Sequence, residues 1–108
     1  MKETELQASI IDYLLLRGHY IWRNNTGVVS SQYTRKDGVC KRRLWRAGKK
    51  GSSDIIGVAK DGKFIAIECK IGKNKATDEQ ILFINNIKDH QGIAIVAYTL
   101  DDVINTGL

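Results

Sequence analysis

Residues 54 to 70 read Asp-Ile-Ile-Gly-Val-Ala, then Lys-Asp-Gly, then Lys-Phe-Ile-Ala-Ile-Glu-Cys-Lys: two apolar runs joined by a short turn. This is the clearest hairpin in the sequence, because apolar segments flanking Asp-Gly favour a tight antiparallel reversal. The second run carries an acid and a base, Glu68 and Lys70, among residues that otherwise belong in a core. Side chains alternate along a strand, so Glu68 and Lys70 share one face while Ile65, Ile67, Cys69 and Ile71 take the other. A carboxylate and an ammonium in such a strand are costly to bury without partners. Breaks of this kind in the local rules are expected at functional sites.

Register decides whether Asp54 joins them. A two-residue loop, Asp61-Gly62, would pair Lys60 with Lys63 and set Asp54 opposite Cys69, on the wrong face. A three-residue loop, Lys60-Asp61-Gly62, pairs Ala59 with Lys63 and sets Asp54 opposite Glu68. The longer loop wants its last residue in the left-handed region, and Gly62 adopts that without strain. The expectation is therefore Asp54 and Glu68 side by side, with Lys70 one step along.

The rest of the chain supplies a frame for this hairpin. A helix is predicted from about Lys2 to Arg17, with Leu6, Ile10, Tyr13 and Leu14 at helical spacing and Gly18 as the stop. His19 to Arg23 reads as a short strand ended by the turn-formers Asn24-Asn25-Thr26-Gly27. Val39 to Ala47 holds enough β-formers for another strand. After a polar loop at Gly72–Ala76, a helix starts after Thr77 and runs to about Asp89, with Ile81, Leu82, Ile84 and Ile87 as its apolar stripe. Ile93 to Tyr98 is a buried-type strand, and Leu100 to Asn105 a short final helix. The order α-β-β-β-β-α-β-α predicts an α/β fold, a mixed sheet flanked by helices, in a single domain spanning residues 1–108.

Charge is unevenly spread. The chain of 108 residues carries a net charge of +5. Arg35, Lys36, Lys41, Arg42, Arg43, Arg46, Lys49 and Lys50 lie between Tyr33 and Lys50 with Asp37 as the sole acid, so this segment holds +7 and the remainder −2. A local basic patch containing aromatics, Tyr33 and Trp45, is the footprint of a phosphate-backbone binder. No apolar run approaches a membrane span, and the first residues lack a signal-peptide pattern. Cys40 and Cys69 show no disulfide or CxxC spacing, which fits a reduced, cytoplasmic protein. No Gly-rich phosphate loop is present, so no nucleotide cofactor is expected.

Two adjacent carboxylates suit a hard cation such as Mg²⁺ or Mn²⁺. Such an ion stabilises charge on a phosphate and acidifies a water, and a neighbouring lysine can orient or deprotonate that water. Glu3 falls on the inner stripe of the first helix with Leu6, Gln7, Ile10 and Leu14, so it is a further candidate ligand; its other reading is a helix-dipole partner. Gln80 completes a capping box with Thr77, Thr-Asp-Glu-Gln. Asn24, Asn25 and Gly27 read as turn residues, with an Asn amide near a phosphate chemically plausible. His19 and His90 have no ligand spacing.

Taken in order, Glu3-Thr4-Glu5-Leu6-Gln7, Arg23-Asn24-Asn25-Thr26-Gly27, Gly51-Ser52-Ser53-Asp54, Ile67-Glu68-Cys69-Lys70 and Gln80 resemble the virus-type replication-repair nuclease (VRR-NUC) domain. That domain belongs to the PD-(D/E)XK nuclease superfamily, close to archaeal-type Holliday-junction resolvases. The resemblance implies a restriction-endonuclease-like fold and Mg²⁺- or Mn²⁺-dependent hydrolysis of DNA phosphodiesters. It implies that Asp54 and Glu68 bind metal with the Cys69 backbone carbonyl, that Lys70 is the catalytic lysine, and that Glu3 and Gln80 belong to the site. Ser53 stands where the superfamily's nominal motif has Pro. Family members of this length, in bacteria and phages, imply a homodimer acting on branched DNA in repair and recombination. Fused relatives that cleave flaps, restriction-like nucleases on the same fold, and a non-catalytic DNA-binding module are the competing expectations.

Overall fold

The hairpin forms with the three-residue loop. In the computed structural model of the chain, β4 (Ile55–Val58) and β5 (Phe64–Cys69) are antiparallel with Ile55 opposite Ile67 and Val58 opposite Phe64. The Ala59 amide donates to the Lys63 carbonyl at 2.7 Å, and Gly62 closes the turn at φ +92°. Left-handed backbone of this kind is what a glycine adopts without steric cost. The structure describes the backbone of residues 1–24 and 27–108, and the side chains of all of these except 27–31 and 44–47.

Around the hairpin the elements follow the expected order, with one strand added. They are α1 (Glu3–Leu16), β1 (Tyr20–Arg23), β2 (Gly27–Thr34), β3 (Cys40–Ala47), β4, β5, α2 (Asp78–Asp89), β6 (Ile93–Ala97) and α3 (Leu100–Ile104). The addition is β2, which pairs antiparallel with β3 as a separate two-stranded sheet. The main sheet runs β1-β4-β5-β6, with β6 parallel to β5. Parallel neighbours need a crossover, and α2 supplies it. Among the described residues no helix is long and apolar enough to cross a membrane.

Strand β5 is central and buried along nearly its whole length. Its odd-numbered residues Ile65, Ile67 and Cys69 face α1, where Leu6, Ile10 and Leu14 pack with Ile21, Ile55, Ala97 and Val103. Its even-numbered residues face α2, where Ala66 meets Ile84 and Ala94, with Ile56, Phe83, Ile87 and Val96 at the margin. The stripe expected on α2 is corrected here: Ile81 and Leu82 are exposed and Phe83 packs in their place. The helix is turned by the sheet it covers, which needs only a narrow contact around Ile84.

Candidate active site

Glu68 occupies the even-numbered, α2-facing side of β5, and the hairpin register carries Asp54 to the position opposite it. Asp54 is held from three directions. Its Oδ2 accepts from the Cys69 backbone amide at 2.9 Å. Its carbonyl accepts from the Asn24 amide at 2.7 Å, just past the end of the β1–β4 ladder. The Asn24 side chain then donates from Nδ2 to Ser52 Oγ at 2.8 Å and to the Ser53 carbonyl at 3.0 Å. The sequence suggested a turn residue or an amide near a phosphate at Asn24; its side chain pins the approach to Asp54. Gly51 is required in the same loop, because a Cβ there would lie 2.6 Å from the Glu79 carbonyl oxygen at the start of α2.

Glu68 is 2% exposed, and its two oxygens are treated unequally by the described residues. Oε1 accepts from Gln80 Nε2 at 2.8 Å, and Lys70 Nζ lies 3.7 Å from the same atom. Oε2 is buried with no hydrogen-bond partner among the described residues. Burial pushes the Glu68 carboxyl up to about 8, Asp54 beside it pushes the same way, and Lys70 opposes both. The cost falls on the ionised form, which loses water and gains a like-charged neighbour.

One Gln80 side chain both caps α2 and bonds Glu68. Its Oε1 accepts from the Thr77 amide at 2.8 Å and its own amide donates to Thr77 Oγ1, closing the capping box of α2. The remaining nitrogen is thereby directed at Glu68.

This donor set fits a hard divalent cation. An orphaned carboxylate oxygen, a second carboxylate directly across the hairpin and a buried setting all favour a positive charge there. Among the described residues no three His, Cys, Asp or Glu side chains gather as a metal cage. Glu3 is half-buried at the start of α1 and acts on the Cys69 thiol electrostatically. Burial, then Asp54, Glu68 and Glu3, push that thiol up to about 12. Cys69 is therefore an unreactive core residue on the α1 side, and only its backbone is available to a ligand.

The basic residues divide into two groups. Arg35, Lys36, Lys41, Arg42 and Arg43 are exposed on the β2–β3 hairpin. Lys49 and Lys50 follow it, with Lys50 paired to Glu79 at 2.9 Å. Asn25 and the side chain of Arg46 lie outside the described residues. Among the described residues neither histidine bonds to Asp54 or Glu68. His19 is buried and accepts from the Lys60 amide, while His90 caps the end of α2.

No curated protein matches the chain closely. The family model of the VRR-NUC domain matches residues 1–100, an interval that contains Asp54, Glu68, Lys70, Gln80 and the whole four-stranded sheet. On that match the chain belongs to the VRR-NUC domain family, a family of nucleases.

Proposed function

We propose that this chain is a Mg²⁺- or Mn²⁺-dependent endodeoxyribonuclease that cuts branched DNA, such as Holliday junctions, as a homodimer. The observation that carries the reading is the pairing of Asp54 with Glu68 across the hairpin, with a buried, unpartnered Glu68 oxygen and Lys70 alongside. Asp54, Glu68 and the Cys69 carbonyl would hold the ion. When bound, such an ion stabilises negative charge on a phosphate and acidifies a water. The chain's own residues do the rest. Lys70 stabilises the charge that develops on the scissile phosphate and orients the attacking water. Gln80 holds Glu68 Oε1, leaving Oε2 for the ion. Asn24 fixes the loop that presents Asp54.

The choice of branched DNA rests on the basic hairpin, the junction-resolving relatives that the sequence resembles, and the match between a two-fold dimer and a two-fold junction. A core of this size also gains from self-association. The test is cleavage of a four-way junction, a flap and a plain duplex with Mg²⁺ or Mn²⁺. Preferential cutting of the junction is expected. Tight binding with no cutting of any substrate would overturn the enzymatic reading in favour of a binding module. Glu68→Ala and Lys70→Ala should each lower cutting by about 10²-fold or more with DNA binding retained.

A further inference from the structure

Strands β2 and β3 pair with each other from Gly27↔Ala47 to Thr34↔Cys40, in a sheet separate from the main one. Every residue from Gln32 to Arg43 is exposed, so the distal half of this ribbon has water on both faces. Two strands without a buried face are marginally stable alone. The ribbon also projects. A chain of this length packed around one core would have a radius of gyration of about 13 Å, whereas this one has 16.9 Å and a longest dimension of 59 Å.

Alternation sorts its charges onto opposite faces. Lys41 lies across from Tyr33 and shares a face with Arg43, whose guanidinium sits 5.6 Å from the Tyr33 ring centre. Arg42 lies across from Gln32 on the other face. Arg35 and Lys36 stand at the tip, where Asp37 pairs with Arg35 at 3.3 Å and accepts from the Val39 amide. A surface with cations on both faces does not suit a second copy of itself, because like charges would meet. It also does not suit any flat polyanion, which would neutralise one face and leave the other in water.

One common polyanion is shaped to take both faces. The major groove of B-form DNA is about 12 Å wide and admits a two-stranded ribbon, with a phosphate wall on each side. We infer that the β2–β3 hairpin enters the major groove of a duplex arm beside the cleavage point, Arg42 facing one phosphate wall and Lys41 and Arg43 the other. An eight-residue strand reaches about 26 Å, so the contact lies away from Asp54 and Glu68 and selects substrates with an intact duplex next to the cut. This rests on the DNA reading above and assigns the hairpin's mode of binding within it.

The test is the salt dependence of binding to a plain duplex of about two helical turns, measured without divalent ion so that no cutting occurs. Each phosphate contact steepens the fall of log affinity with log salt by about 0.9, and its loss reduces the steepness by as much. Arg42→Ala and Lys41→Ala, one from each face, should each produce that reduction between about 50 and 200 mM salt. Lys41 is used because its loss leaves Arg43 stacked on Tyr33. A reduced slope in one variant alone means that the ribbon lies flat on the outside of the duplex, and overturns insertion. Unchanged slopes in both remove the hairpin from DNA altogether. Absence of duplex binding by the unmodified chain overturns this inference together with the DNA reading. Reduced slopes in both variants from a protein that cuts nothing would sink the nuclease assignment and leave the ribbon's role intact.

Discussion

Gln80 Nε2 donates to Glu68 Oε1 at 2.8 Å, while the oxygen of the same amide accepts from the Thr77 backbone. The cap of a helix and the orientation of a buried carboxylate are thus one piece of chemistry. Thr77→Ala and Gln80→Ala should both weaken α2, each by about 1 kcal/mol. Only Gln80→Ala should also reduce Mn²⁺ affinity and cutting, by about 10- to 100-fold, as loss of a ligand-orienting partner does. Thermal melts and metal titration of the two variants check this. Equal metal affinity in both would confine Gln80 to the helix cap.

Glu68 gives the metal-free protein a pH dependence whose sign follows from its raised pKa. The fold favours the protonated carboxyl, so Glu68 contributes most below its unfolded value near 4.5, and that contribution is lost as pH rises through about 8. In melts without divalent ion, Glu68→Gln should gain on the unmodified chain steadily between those limits and melt higher above pH 8. Added Mn²⁺ should raise the unmodified chain's melting temperature at high pH and leave Glu68→Gln unmoved. Parallel pH profiles for the two proteins would show that Glu68 ionises without cost.

Asn24 holds Ser52 and Ser53 by side chain and Asp54 by backbone. Asn24→Ala leaves its backbone bond in place and removes two side-chain bonds, at a cost of about 1 to 3 kcal/mol. Cutting should fall further than this loss of stability accounts for, with duplex affinity unchanged, because the loop presenting Asp54 is released. Full cutting at a temperature where the variant is folded would make Asn24 a residue of the fold alone.

Gly62 tests the register on which Asp54 and Glu68 depend. At φ +92°, Gly62→Ala meets no neighbouring atom, so its cost is backbone strain alone, about 1 to 2 kcal/mol. Gly62→Asn should cost less, since Asn tolerates left-handed backbone. Denaturant melts measure both. Equal stability of Gly62→Ala and the unmodified chain would mean that the loop can close in another conformation.

His19 adds an acid limit. Burial lowers its pKa, with Lys60 and Arg17 acting in the same direction and Asp61 opposing, and its Nδ1 accepts from the Lys60 amide. The unfolded chain therefore takes up a proton more readily, and stability is lost as pH falls below about 6.5. His19→Gln should flatten that limb of the melting profile; an unchanged limb would assign it to other groups.

Much of the site was legible because it depends on short-range rules. Strand alternation set Glu68 and Lys70 on one face, Gly62 selected the loop length, and the loop length brought Asp54 across. The Thr77–Gln80 box was readable for the same reason, being local to one helical turn. Strand β2 was not legible because its outer residues, Gln32 to Thr34, are exposed on both faces, so no buried face imposes an alternation of apolar and polar residues there. The α2 stripe was misplaced because periodicity names a set of candidate faces, and the sheet chose the one around Ile84 and Phe83. Asn24 had nothing in its neighbours to show that Ser52 and Ser53 would come beside it.

What the sequence determined alone is therefore the hairpin, its register and the pairing of Asp54 with Glu68, since these follow from backbone dihedrals and a two-residue period. Only the tertiary structure decided that Gln80 reaches Glu68 and that Asn24 anchors Asp54. The first contact comes from packing α2 against one face of the sheet and the second from pairing β1 with β4, and no local pattern encodes either.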